Sequence, residues 1–120
     1  MKIAISASEG ALNSPIDPRF GRAKKFILVD TETGAHEVHD NVQNLNAAQG
    51  AGIQAAQTVT GLGAQIVITG HCGPKAFRVL QAAGIQIGLL SEGTVAEAVQ
   101  KCKEGHLEFA SSSDVEGHWA

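Results

Sequence analysis

Ala64-Gln-Ile-Val-Ile-Thr-Gly-His-Cys-Gly-Pro-Lys-Ala-Phe-Arg-Val-Leu80 is the stretch from which the fold can be read. Gln65 to Thr69 is apolar, β-branched and uncharged, which predicts a strand buried on both faces. Gly70 breaks it, and Pro74 fits the first position of a helix running to about Ala83. Between them Gly70, His71, Cys72 and Gly73 form a tight strand-to-helix loop. Such a loop turns backbone N–H groups toward the positive end of the helix dipole, where an anion can be held. Cys72 is the best soft ligand and nucleophile of the chain, and it lies in this loop.

Working outward, Lys2 to Ser8 reads as a central strand, Lys25 to Asp30 as a second and Ala35 to His39 as a third. The Thr31-Glu-Thr-Gly34 turn makes the last two a hairpin. Glu9 to Lys24 is a long loop carrying Asp17-Pro-Arg-Phe-Gly-Arg22, and loops of that length are usually functional or disordered. A helix is expected from about Ile53 to Leu62. After the 65–83 strand and helix, Ile85 to Leu90 is a short strand, and a final helix spans Val95 to Lys103. Thr94 should cap that helix in a capping box with Glu97. The pattern β-β-β-α-β-α-β-α predicts an α/β domain with helices on both faces of a mixed five-stranded sheet. Its expected order is 3-2-1-4-5 with strand 2 antiparallel. Ligands of such sheets sit beyond the carboxyl ends of the strands where the winding reverses, here between strands 1 and 4. That topology brings Arg19, Arg22 and Cys72 toward one crevice. Residues 1–105 read as a single domain and 106–120, polar around Ser111-Ser-Ser-Asp114, as an irregular tail.

The bulk composition excludes several classes. In 120 residues the chain has 43% hydrophobic and 18% charged residues, an ordinary globular balance. A net charge of −3 with four Phe, one Trp and no Tyr gives neither a basic stripe nor a stacking surface for nucleic acid. No apolar run approaches the roughly 20 residues of a membrane span. The start, Met1-Lys-Ile-Ala-Ile-Ser6, enters a strand at once and lacks a signal peptide's features. Two cysteines, Cys72 and Cys102, are too few for a disulfide framework. The cytoplasm is the expected compartment.

The chemistry of the 70–78 loop admits three readings. His71-Cys72-Gly-Pro-Lys-Ala-Phe-Arg78 matches the H-C-x5-R pattern of cysteine-dependent phosphatases, in which a thiolate attacks phosphorus and the arginine holds the oxyanions. Pro74 removes an N–H from the required cradle, Lys75 stands where that family usually has glycine, and Val79 replaces the usual hydroxyl residue. Gly50-Ala-Gly52-Ile-Gln-Ala55 has the form of a dinucleotide motif, yet it does not follow directly on a strand and reads as a close-packed helix start. The third reading is a site for an anion or a metal cluster.

That third reading is carried by a resemblance. Met1-Lys-Ile-Ala-Ile-Ser-Ala-Ser8, Asp17-Pro-Arg-Phe-Gly-Arg22, Gly50-Ala-Gly-Ile53 and Thr69-Gly-His-Cys-Gly-Pro-Lys-Ala-Phe77 together resemble the dinitrogenase iron–molybdenum cofactor biosynthesis family, which includes NifX and the carboxyl-terminal part of NifB. The match runs from Met1 to about Gly105. Within the family the chain looks most similar to the orange-protein branch of sulfate-reducing bacteria, whose members bind a molybdenum–copper sulfide cluster without covalent attachment. The resemblance implies a ribonuclease-H-like three-layer fold, in agreement with the sheet order above. It also implies a cluster carrier without turnover, loaded with a molybdenum–copper sulfide cluster or an iron–molybdenum cofactor precursor, and protein partners in cofactor assembly. Carried over by position, it points to Arg19, Arg22, Gly50, Gly52, Gly70, His71, Cys72 and Gly73. By softness Cys72 and His71 are the candidate copper or molybdenum ligands, and a noncovalent mode would make them contacts only. Some relatives have cysteine soon after the Gly21-Arg22 pair; here Ala23-Lys24-Lys25 follows, so that loop supplies no second thiolate, which suits a held cluster better than a coordinated one. A nuclease reading of the same fold fails, because Lys2 to Ser8 has no carboxylate for a two-metal site.

The remaining reactive side chains have bland readings. Cys102 falls on the inner stripe of the last helix with Val95, Ala98 and Val99. His36 and His39 alternate on a short strand, and His39 is the better candidate for a shared site. His106, His118 and Trp119 belong to the tail.

Overall fold

The computed structural model describes residues 1–43 and 50–110. In chain order the elements are β1 (Lys2–Ala7), β2 (Lys25–Asp30), β3 (His36–Asp40), α1 (Ala51–Gly61), β4 (Ile66–Thr69), α2 (Pro74–Ala82), β5 (Gln86–Leu89), α3 (Val95–Lys103) and β6 (Glu108–Phe109). They form one sheet in the order β3-β2-β1-β4-β5-β6. β1 runs antiparallel to β2 and parallel to β4, and β4 runs parallel to β5. The expected 3-2-1-4-5 order and the antiparallel second strand are therefore present.

All four residues of β4 are buried, and strand alternation divides them between two cores. Val67 faces one side with Ala4, Phe26 and Leu28, where Ala55, Ala56 and Val59 of α1 and Ala76, Phe77 and Leu80 of α2 cover them. Ile66 and Ile68 face the other side with Ile3, Ile5 and Ile27, under Val95, Ala98 and Val99 of α3. Two helices thus cover one face and one covers the other, giving the three layers.

The reading of everything after Gly105 as irregular is corrected by β6. Gly105 turns the chain with φ +73, Leu107 packs against the α3-side core, and Gly88 and Leu89 pair antiparallel with Phe109 and Glu108. Two residues of ladder leave no periodic signal in the sequence, and the strand is fixed by its pairing with β5, by Leu107 and Ala110 packed against the two cores and by Ala110 N–H donating to the Ile87 carbonyl. Ser111 to Ala120, with His118 and Trp119, lie outside the described residues. No helix among the described residues is long and apolar enough to cross a membrane.

α3 begins as expected. Glu97 N–H donates to Thr94 Oγ1 at 3.2 Å, and Thr94 N–H donates to Glu97 Oε1 at 3.0 Å. Thr94→Ala should lower stability by about 1 kcal/mol, read as a lower urea midpoint at unchanged m-value; no change would mean that the box adds nothing to packing.

Candidate functional site

The carboxyl ends of β1 and β4 are bound to the Asp17–Arg22 loop by a short buried network. The Ser6 hydroxyl bridges the Asp17 carbonyl at 2.6 Å and the Thr69 hydroxyl at 2.8 Å, and Asp17 N–H donates to the Ser6 carbonyl at 2.9 Å. Further along, His71 N–H donates to the Pro18 carbonyl at 2.7 Å and Phe20 N–H to the His71 carbonyl at 3.2 Å. This is a one-step parallel ladder that sets Arg19 opposite His71. The Asp17 carboxylate accepts Arg19 N–H at 3.0 Å and Arg19 Nε–H at 3.5 Å, an Asx-type turn that fixes the start of the loop.

Next along the loop, Gly21 packs against the start of α1. A Cβ there would lie 2.9 Å from Gly52 N and 3.0 Å from Gly52 Cα, closer than real side chains come to backbone. The Gln43 amide closes the junction by donating to the Gly21 carbonyl at 2.8 Å and the Ala51 carbonyl at 3.0 Å. Asn41 Nδ2 holds the Ala23 carbonyl at 2.8 Å and the Gly21 carbonyl at 3.2 Å. Neither clamp is apparent in the sequence, since a polar Asn-Val-Gln run after a strand reads as ordinary loop.

The start of α1 in turn faces the start of α2, with a Gly52 Cβ position 3.2 Å from Ala76 Cβ. A cavity of about 300 Å³ opens between them, lined by Gly50, Gly52, Ile53, Gly73, Pro74, Lys75 and Ala76. Both helices start on glycine, Gly50 and Gly73, with no side-chain cap and no acidic residue in the first turn. The N–H groups of Ala51, Gly52, Ile53, Lys75 and Ala76 therefore have no intrahelical acceptor, and no side chain among the described residues caps either positive dipole end. α3 of the same molecule is capped and carries Glu97 in its first turn. Among the described residues Lys75 is the one charged residue in the cavity's lining. The arrangement is an apolar hollow with a positive potential, suited to a weakly hydrated anion.

The structure distributes the expected site residues unevenly. Gly50, Gly52 and Gly73 line this cavity. Gly70 passes so close to Pro18 that a Cβ would come within 2.8 Å of the proline ring. Arg19 and His71 are exposed and adjacent on the ladder, whereas Arg22 lines a separate cavity with Lys24. Cys72 is 1% exposed and belongs to the core under α1 and α2 with Phe20, Phe26 and Ala76. The convergence of Arg19, Arg22 and Cys72 on one crevice is thereby corrected: the loop crosses over α1, and packing draws the thiol inward. The phosphatase geometry is not assembled either. Arg78 points back along its own helix, with Nε–H donating to the Pro74 carbonyl at 3.4 Å, and a thiol at 1% exposure cannot meet a phosphoester. No three His, Cys, Asp or Glu side chains group as metal ligands among the described residues. Lys75 and Ile53, which the sequence motifs contain but do not mark as site residues, also line the cavity. The signal lay in the Gly-Pro start of α2, which puts the second helical residue at the rim of the helix N-terminus.

A three-layer α/β domain with the starts of α1 and α2 gathered at the carboxyl edge of the sheet has the layout in which open α/β folds present helix N-termini to ligands. The chain belongs to the dinitrogenase iron–molybdenum cofactor family, whose model matches residues 1–105. It is 44% identical to the orange protein of Desulfovibrio gigas, whose apo form has been solved, with a TM-score of 0.88 over 94% of this chain and 95% of that one. A candidate NifB protein from Thermotoga, solved by NMR, is 34% identical with a TM-score of 0.81 over 97% and 98% of the two chains. An uncharacterised protein of Methanocaldococcus jannaschii is 30% identical over 110 residues, 90% of each chain.

Proposed function

We propose that this protein binds and carries an anionic metal–sulfur cluster, of the molybdenum–copper sulfide or iron–molybdenum cofactor precursor type, and performs no turnover on it. The observation that carries this reading is the meeting of Lys75 and two helix starts that no described side chain caps at one apolar cavity, in a molecule that closes its third helix with a Thr94–Glu97 capping box. A sulfide-rich polyanion is soft and weakly hydrated, so apolar walls cost it little desolvation while the N–H groups of Gly52, Ile53, Lys75 and Ala76 balance its charge. Family membership and the likeness to the orange protein support a cofactor-related role. In this reading the cluster is held by charge and shape. Arg19 and His71, side by side next to Gly73, add a second cation and a soft contact at the rim, and Cys72 fixes the loop from below.

The test is elemental analysis and a visible spectrum of the protein purified anaerobically from its host, followed by uptake of tetrathiomolybdate and copper by the apoprotein. Stoichiometric molybdenum with a charge-transfer band is expected. Lys75→Met should weaken retention roughly tenfold, and Ile53→Glu should weaken it further, because a carboxylate at the third helical position suits α1 but reverses the field in the cavity. Cys72→Ala should retain the cluster as long as the protein stays folded. Metal-free, colourless protein that also fails to take up thiomolybdate and copper would overturn the reading.

A further inference from the structure

A second cavity, of about 370 Å³, is lined by Gly21, Arg22, Ala23, Lys24, Asn41 and Gln43. It shares no lining residue with the first, although Gly21 in its wall is packed on Gly52 in the wall of the other. Among the described residues no carboxylate lines it. Arg22 and Lys24 are exposed and form no ion pair with a described residue. Asp40, the carboxylate next in sequence to Asn41, is already held by Lys25, whose ammonium keeps its pKa below the usual value. The backbone that carries the two cations is fixed, because Asn41 and Gln43 donate to the Gly21, Ala23 and Ala51 carbonyls. Those same bonds engage carbonyl oxygens that would otherwise repel an anion. In a chain of net charge −3, two cations with no ion-pair partner among the described residues, set on a clamped loop, oppose the overall charge.

We propose that this cavity binds a divalent tetrahedral oxyanion, of the sulfate, hydrogen phosphate or molybdate class, with Arg22 and Lys24 as its counter-charges. The Arg22 guanidinium offers paired N–H donors to two oxygens, and the Lys24 ammonium a mobile point charge for a third. Two unit charges match a dianion and give little preference to chloride. The polar, open wall suits a hydrated hard anion, in contrast to the apolar hollow between α1 and α2. This site does not depend on the cluster reading, and each can fail without the other.

The test is a titration of the full isotope-labelled chain with sodium sulfate, phosphate and molybdate, followed by amide NMR shifts at ionic strength held constant with sodium chloride. Saturable shifts confined to residues 21–24 and 41–43 are expected. Arg22→Gln and Lys24→Gln should each weaken binding roughly tenfold, while Lys101→Gln on α3 leaves it unchanged. The tightest of the three anions identifies the ligand within the class. Shifts that never saturate, that chloride reproduces at equal ionic strength, or that persist in both variants would reduce the two cations to a solvated rim and overturn the proposal.

Discussion

Phe20→Ala should cost the domain about 3–5 kcal/mol, the range for deleting a buried aromatic ring. Domains of this kind are stable by only about 5–15 kcal/mol in total, so the variant should unfold at much lower urea. Phe20 lies in an irregular loop, yet it is 2% exposed and its ring packs on Phe26 with centroids 5.3 Å apart, tilted by 52°. Its neighbours in the same core include Cys72 and Ala76 from the start of α2. The ring is thus the plug that holds the Asp17–Arg22 loop down on the sheet, while the loop's backbone is tied to His71. Phe109→Ala is the control. That ring is 41% exposed at the sheet edge, and its loss should cost no more than about 1 kcal/mol. If the two variants were equally mild, the loop would be an appendage, and the fixed neighbourhood of Arg19 and His71 would have no structural basis.

The contrast between those phenylalanines bears on what the sequence discloses. Ile66 to Thr69 announces itself because a strand buried on both faces leaves no room for a charge, and Thr94 with Glu97 announces a helix start because both bonds of the box are local. Phe20 gives no such sign, since one aromatic among Pro, Arg and Gly has no period to betray its burial. Cys72 is the sharper case. A thiol beside a histidine at a helix start has the local chemistry of a reactive group, and it is a core shared with segments distant in sequence, Phe20 and Phe26 among them, that buries it. The arginines mislead in the same way. Arg19 and Arg22 are three residues apart, but the Gly21 contact with α1 lies between them, so Arg22 opens into a different cavity. Local signals fix elements and caps. Which side chain meets which cavity depends on contacts between segments far apart in sequence.

Gly70→Ala should destabilise the protein by roughly 2–4 kcal/mol, while the same change at Gly61 should stabilise it by about 0.5–1 kcal/mol. Gly61 ends α1, and an added Cβ there meets nothing within 4 Å, so the substitution only restricts the unfolded chain. At Gly70 the Cβ would lie 2.8 Å from Pro18 Cβ and 2.9 Å from both Pro18 Cα and the Pro18 carbonyl oxygen. None of these atoms belongs to a flexible side-chain end that could swing away. Relief requires Pro18 to move, and its carbonyl accepts the 2.7 Å bond from His71. Displacing it strains that bond and the return bond from Phe20, the two that place Arg19 opposite His71. Paired urea melts of the two variants give opposite signs if the loop is locked to β4. A Gly70→Ala protein as stable as the parent would mean that the loop lifts from the strand without cost, and the rim that Arg19 and His71 add to the cluster cavity would have to be abandoned.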